Sequence, residues 1–268
     1  MCATCGCEGS ENEVQFLVMG AETHTHAHVH EHPHSHDHSH EHGEHHHHHS
    51  HEVNLEADIL QQNNLLAERN RGFFEALNIF AVNFVSSPGS GKTSFLEKTI
   101  ADLKNKMTFE IVEGDQQTSN DAERIYKLGV PALQINTGKG CHLDSDMIAK
   151  AIKQLKPQAN SLFLIENVGN LVCPAMFDLG ENLRVVIVSV TEGEDKPVKY
   201  PDMFYSSQIC IINKIDLLPY LKFDVEKLKN YALQVNPNLR FFEVSATTGA
   251  GMEKWYEFLA SSIRQNEK

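Results

Sequence analysis

From about Val53 onward, short apolar runs alternate with longer segments whose apolar residues recur at helical spacing. The runs are Ile79 to Val85, Phe109 to Val112, Ala132 to Ile135, Leu162 to Ile165, Leu183 to Val190, Ile209 to Ile212 and Phe241 to Val244. Short, mostly apolar runs of this kind suit strands buried on both faces, as in a parallel sheet. Between them, Thr93 to Lys106, Asn120 to Leu128, Asp144 to Leu155, Asp224 to Val235 and Gly251 to Ile263 predict helices. One more helix is predicted from Val53 to Leu77, packing on the rest through Leu55, Ile59, Leu65, Leu66, Phe73, Phe74 and Leu77. The pattern is that of an α/β protein, a mostly parallel sheet flanked by helices.

Composition sets the first 52 residues apart. They hold nine acidic groups, no Lys or Arg, and almost no apolar periodicity, so they cannot bury a core and are expected to form a disordered tail. The expected organisation is a tail over 1–52, a packing helix over 53–78 and a single sheet domain over 79–268 of the 268 residues. The tail carries −9 of the formal −13, and the acidic balance argues against nucleic acid as a partner. No apolar run is long enough to span a bilayer and no signal segment opens the chain, so no membrane insertion and a cytoplasmic location are expected. In that reducing setting the six cysteines are expected as ligands or core residues rather than disulfides.

The first candidate site follows the strand Ile79 to Val85. Ser86-Ser87-Pro88-Gly89-Ser90-Gly91-Lys92-Thr93 stands between a strand and a helix, where backbone N–H groups can cradle phosphates. Gly89 and Gly91 let the backbone wrap a β-phosphate, Lys92 supplies a point charge to the β/γ oxygens, and Thr93 offers a hydroxyl to Mg²⁺. Ser90 and Ser94 complete the expected phosphate contacts, and Ser86 replaces the usual first glycine. Asn213-Lys214-Ile215-Asp216, after another strand, selects GTP over ATP: the Asp216 carboxylate can accept from guanine N1–H and its 2-amino group, donors that adenine lacks. Asn213 reaches the base or ties this loop to the phosphate loop, the Lys214 stem covers the ring, and Ser245-Ala246 can offer an N–H to guanine O6. Two acidic loops follow strand ends, where ligands sit in such sheets. Asp115 is expected to bind Mg²⁺ or orient the attacking water, Glu166 to serve the Mg²⁺ side, and Gly169 to face the γ-phosphate.

Three features suggest metal. Sixteen of 17 histidines lie between His24 and His51, and neutral imidazole suits nickel, copper and zinc, so the tract reads as a metal depot. Cys2, Cys5 and Cys7 place three thiolates on one arm, fit for Ni²⁺ with an amine or backbone nitrogen as fourth ligand, or for zinc. Cys141-His142 and Cys173 lie in loops near the acidic segments, and two thiolates with one imidazole leave a tetrahedral site one ligand short, which a symmetric dimer can complete. Cys210 is expected in the core.

Together the Cys-x-x-Cys-Gly-Cys start, the His tract, the phosphate loop, Glu113-Gly114-Asp115-Gln116-Gln117, Cys141-His142-Leu143-Asp144, Glu166-Asn167-Val168-Gly169 and Asn213-Lys214-Ile215-Asp216 resemble the HypB family of hydrogenase nickel-incorporation GTPases over nearly the whole chain. The resemblance implies a P-loop GTPase of the SIMIBI class, a GTP-dependent homodimer that helps deliver nickel to a [NiFe]-hydrogenase large-subunit precursor. It also implies a HypA-like nickel metallochaperone as partner, a tight nickel site at Cys2, Cys5 and Cys7, and a weaker nickel or zinc site at Cys141, His142 and Cys173. The competing expectations are a nickel storage or detoxification protein and a urease-accessory-type GTPase.

Overall fold

The computed structural model describes residues 14–20, 49–116 and 120–266. Eight strands form one sheet: β1 (Gln15–Val18), β2 (Phe80–Ser86), β3 (Phe109–Asp115), β4 (Ala132–Asn136), β5 (Leu162–Glu166), β6 (Leu183–Ser189), β7 (Ile209–Asn213) and β8 (Arg240–Glu243). Their order is β1-β4-β3-β5-β2-β6-β7-β8, with β2 to β8 parallel and β1 antiparallel on β4. The long helices are α1 (His49–Ala76), α2 (Lys92–Leu103), α3 (Asn120–Tyr126), α4 (Ser145–Leu155), α8 (Val225–Val235) and α9 (Met252–Asn266). Short ones are α5 (Cys173–Met176), α6 (Lys196–Lys199) and α7 (Pro201–Tyr205), none of which the apolar periodicity foretold. Each is four or five residues long, too short to show a helical period.

The central strands are buried along their whole length, as the mostly apolar runs led one to expect. Under α2 and α9 the core centres on Trp255, whose ring meets Phe84 and Phe95 at 6.1 and 5.4 Å and whose Nε1–H is donated to Thr99 Oγ1 at 3.1 Å. Under α1 and α4, Phe74 packs on Phe163 at 5.2 Å among Ile79, Val112, Leu133 and Ile148. α1 is fastened by buried amides as well as by apolar contacts. Asn63 donates to Asp178 O at 2.8 Å and accepts from Ser145 N–H at 2.9 Å, and Asn70 donates to Ser145 O at 2.9 Å and Leu179 O at 3.2 Å.

The amino-terminal expectation differs in one respect. Residues 15–18 form an edge strand, with Phe16 and Val18 packed against the core beneath α1 and α4. The strand was illegible because four residues in an acidic context carry too little pattern; its stability comes from completing the exposed edge of β4. α1 also begins earlier than Val53, at His49. The cysteine arm and nearly all of the His tract lie outside the described residues, so the expectations for Cys2, Cys5 and Cys7 are not placed by the fold. Among the described residues no helix is long and apolar enough to cross a membrane.

Candidate nucleotide and metal site

All parallel strands end on one edge of the sheet, and the loops there enclose a cleft of about 570 Å³ lined by residues 86–94, Glu113 to Gln116, Asp121, Arg124, Glu166, Val168, Gly169 and Lys214. The cleft begins where β2 turns into α2. Ser86 is the last, buried residue of β2 and is not among the residues with positive φ, so a serine stands in the first-glycine position without strain. Gly91 has φ +89° and directly precedes α2; a Cβ there would lie 2.6 Å from Asn213 Nδ2, so both backbone and space exclude a side chain. The first N–H groups of α2 therefore open into the cleft without helical partners.

Lys92 is buried and its Nζ donates to Glu166 Oε1 at 2.8 Å, while Thr93 Oγ1 donates to the same oxygen at 2.6 Å. Glu166 Oε2 and Glu113 Oε2 are buried with no hydrogen-bond partner among the described residues. Glu113, Asp121 and Glu166 bring a carboxylate oxygen each within 4.8 Å of one another. That many oxygens around one point suit a hard divalent cation such as Mg²⁺. Asp115 ends β3 at the rim of the cleft, and its carbonyl accepts from Thr137 N–H at 2.9 Å.

Burial, with the neighbouring Glu166 carboxylate adding to it, pushes Glu113 up to about 9. It thus holds a proton at neutral pH. The folded group is favoured neutral, so its contribution to stability is full below the ordinary carboxylate range and declines as pH rises toward 9. Glu113→Gln mimics the protonated form and should raise the melting temperature of metal- and nucleotide-free protein at pH 8, with the gain vanishing near pH 4. An equal gain at both ends of a pH series of thermal melts would contradict this assignment.

The base side is organised by Asn213. Its Nδ2 donates to Ser90 O at 3.0 Å and Gly91 O at 3.4 Å, and its Oδ1 accepts from Lys214 N–H and Ala246 N–H at 2.8 and 3.2 Å. Of the two expected roles, it occupies the one that ties loops together, and Ala246 N–H is engaged by it. Lys214, in the left-handed region at φ +65°, lays its stem along the phosphate loop and donates Nζ to Gly89 O at 2.7 Å. Asp216 lies in the first turn of the 3₁₀ helix Ile215–Tyr220 after β7, and its Oδ1 is buried without a partner among the described residues. Ser245 is buried and its Oγ accepts from Thr248 N–H at 3.1 Å, bracing the turn behind Ala246.

Beside this cleft lies the second cluster. Cys141, His142 and Cys173 each bring one ligand atom within 4.8 Å of the others. His142 stacks on Phe177 at 3.9 Å, and burial pushes its pKa below the ordinary histidine value against the pull of Asp144, leaving a neutral imidazole suited to a metal. Soft sulfur and imidazole donors in this number fit nickel or zinc with a position left over. The two clusters share a segment: a Cβ on Gly169 would touch Pro88 of the phosphate loop at 3.3 to 3.4 Å, and Asn170 Nδ2 donates to Cys141 O at 3.4 Å. Cys210 is fully buried in β7, and burial pushes its thiol far up, consistent with a core residue.

Glu113, Asp121 and Arg124 line the cleft although motif reasoning assigned none of them a role, Glu113 at the head of the Glu113-Gly114-Asp115 loop included. Glu113 looks like the polar end of a strand, and Arg124 is noticeable only as a cation three residues after Asp121, which it binds at 2.9 Å along with Glu97.

A glycine-rich turn between a buried strand and a helix, with an Asn-Lys-x-Asp loop laced to it, defines a P-loop nucleotide-binding protein. The nucleotide-binding domain of the CobW/HypB/UreG family matches residues 80–243. A hydrogenase maturation factor HypB from Rhizobium leguminosarum bv. viciae is 57% identical over 210 residues, covering 78% of this chain and 70% of that protein. HypB from Helicobacter pylori, solved in complex with nickel, superposes with a TM-score of 0.73 at 39% identity, covering 76% of this chain and 96% of that one. HypB from Archaeoglobus fulgidus superposes with a TM-score of 0.71 at 42% identity, covering 76% and 99%. The chain belongs to the HypB family of hydrogenase maturation factors.

Proposed function

We propose that this protein is a GTPase that uses its nucleotide cycle to control a nickel site and to deliver the metal to a [NiFe]-hydrogenase precursor. The observation that carries the reading is the shared segment from Glu166 to Cys173, which touches the phosphate loop at Gly169 and supplies a sulfur donor seven residues after its acidic start. The nickel complex of the Helicobacter pylori relative supports nickel as the cargo.

In this reading Gly89, Ser90, Gly91, Lys92, Thr93 and Ser94 hold the phosphates, and Asn213, Lys214, Asp216, Ser245 and Ala246 form the base side. Thr93, Asp115 and Glu166 would hold Mg²⁺, with Asp121 beside Glu166 as a further oxygen donor, and the ion would neutralise phosphate charge. Asp115 stands at the end of β3 to orient the water whose oxygen bonds the γ-phosphorus as the bond to the β-phosphate oxygen breaks, yielding GDP and phosphate. Lys92 stabilises the charge gathering on those oxygens. Gly169 reports the γ-phosphate to the metal loop. Cys141, His142 and Cys173 form the exchangeable nickel or zinc site, completed across a GTP-dependent homodimer. Cys2, Cys5 and Cys7 form the tighter nickel site and the His tract stores metal. The partners are a HypA-like metallochaperone and the hydrogenase large-subunit precursor, and the protein works in the cytoplasm.

The test separates delivery from storage. Because residues 15–18 belong to the sheet, the tail is best disabled by deleting residues 21–48 and replacing Cys2, Cys5 and Cys7 with Ser, which leaves β1 in place. This variant should hydrolyse GTP at the parent rate and still support part of hydrogenase maturation in cells. Adding Cys141→Ser or Cys173→Ser should leave hydrolysis standing and remove maturation. Complete loss of maturation on tail removal alone would favour the storage reading.

A further inference from the structure

A line of buried polar side chains crosses the apolar sheet beneath the two clusters. Asn167, directly after Glu166, is fully buried; its Oδ1 accepts from Val168 N–H at 3.0 Å and from Leu143 N–H, next to His142, at 3.2 Å. Its Nδ2 donates to Oδ1 of Asn83 at 3.3 Å, and Asn83, fully buried in the middle of β2, donates to Glu181 Oε1 at 3.1 Å. Glu181 accepts from Arg184 Nε at 2.9 Å, and the Arg184 guanidinium donates to Ala175 O at 3.0 Å and Phe177 O at 2.8 Å, in the segment that follows Cys173.

Such a line is demanding in an apolar sheet, because each buried amide must be given hydrogen-bond partners to offset its lost hydration, as Asn83 and Asn167 are here. Hydrophobic residues at Asn83 and Asn167 would fill the same space without that liability. The line ties together the loop after β5 that borders the nucleotide cleft, the loop carrying Cys141 and His142, and the segment carrying Cys173 and the ring on which His142 stacks. The contacts on the other flank agree. Leu143 rests on Gly114, where a Cβ would lie 2.8 Å from its Cγ, so the same loop also leans on the strand end between Glu113 and Asp115.

We propose that Asn167, held from below by Asn83, Glu181 and Arg184, is the positioning residue that transmits the nucleotide state to the Cys141, His142 and Cys173 cluster. The inference rests on the proposed reading of that cluster as a metal site. When the loop after β5 shifts with the phosphates, Asn167 carries Leu143 and hence His142 with it, while the Arg184 end keeps Ala175 and Phe177 in place. The two halves of the cluster then move relative to one another, which changes how well three ligand atoms meet on one cation.

The test uses the full chain with Cys2, Cys5 and Cys7 changed to Ser, titrated with Co²⁺ in the presence of Mg²⁺ and either GDP or a non-hydrolysable GTP analogue. The His tract contributes no sulfur, so the thiolate-to-cobalt charge-transfer band reads the inner cluster, and tract competition is equal in the two nucleotide states. In the parent the two titration midpoints should differ by a ratio of about 5–150, the usual range of coupling between sites. In Asn167→Ala the band should persist and nucleotide should still bind, but the ratio should fall to near one. Asn83→Ser, which leaves both backbone bonds to Asn167 in place, carries the test if the first variant does not fold, and its ratio should fall below half that of the parent. A merely structural role would weaken Co²⁺ binding equally in both states and keep the ratio, which overturns the proposal while leaving the metal-site reading intact. A parent ratio of one overturns the proposal together with nucleotide control of the site, and absence of the band in the parent overturns the reading of the cluster itself.

Discussion

Lys92→Ala is expected to abolish hydrogenase maturation while leaving the metal content of the protein nearly unchanged. The ammonium is the buried cation at the floor of the cleft, 2.8 Å from Glu166 and flanked by Glu113, Asp115 and Asp121. A triphosphate brings more negative charge into this acidic setting, so without Lys92 the phosphates meet the carboxylates with one buried positive charge fewer to offset them. Loss of one preorganised charge of this kind costs about 10²–10³ in turnover, and the repulsion adds to it through weaker binding. The effect is not confined to chemistry. Removing one partner of a buried pair leaves the other costly, so the melting temperature of the nucleotide-free variant should fall. Metal held by the tail should not respond, because those ligands lie elsewhere in the sequence. GTP hydrolysis, maturation in cells lacking the native chain, and bound nickel after gel filtration measure the three outcomes. Normal maturation in this variant would sink the delivery reading.

Asp216→Asn should exchange one base for another. The buried Oδ1 of Asp216 has no partner among the described residues, and a lone buried carboxylate oxygen demands a donor. Guanine supplies two, N1–H and the 2-amino group. Asparagine accepts only one of them and turns its own amide hydrogens on the other, so kcat/KM for GTP should drop by about 10²–10⁴, in line with the loss of one charge-assisted bond and the cost of an unpaired polar group. Xanthine carries a carbonyl where guanine has the amino group and pairs with the same amide, so hydrolysis of XTP should rise above that of GTP in the variant. Thermal stability should change little, because the side chain makes no internal hydrogen bond through Oδ1 to lose. Unaltered preference for GTP over XTP would show that another group reads the base.

Seven of the eight strands were legible as short, mostly apolar runs, because strands of a parallel sheet covered on both faces need not alternate apolar with polar residues. β1 was not, since a four-residue strand draws its stability from the β4 edge it covers. The phosphate loop and the Asn213 to Asp216 loop were legible for a different reason: their chemistry depends on neighbours in sequence, with Gly91 required by its own φ and Lys92 by the helix it begins. Glu113 was missed because nothing local distinguishes a strand-end glutamate in water from one pressed against a second carboxylate; only its environment raises its proton affinity.

The amino-acid sequence by itself determined the kinds of chemistry available: a phosphate-loop motif, a carboxylate of the kind that can pair with guanine, and sulfur and imidazole donors. Tertiary structure alone decided that Cys141 and His142 meet Cys173 within 4.8 Å, and that the buried line through Asn167 and Asn83 joins them to the nucleotide cleft. The physical reason is the parallel sheet. It delivers the ends of β3, β4 and β5 to one edge, so loops distant in sequence become neighbours through strand order, a distance that no local pattern of residues encodes.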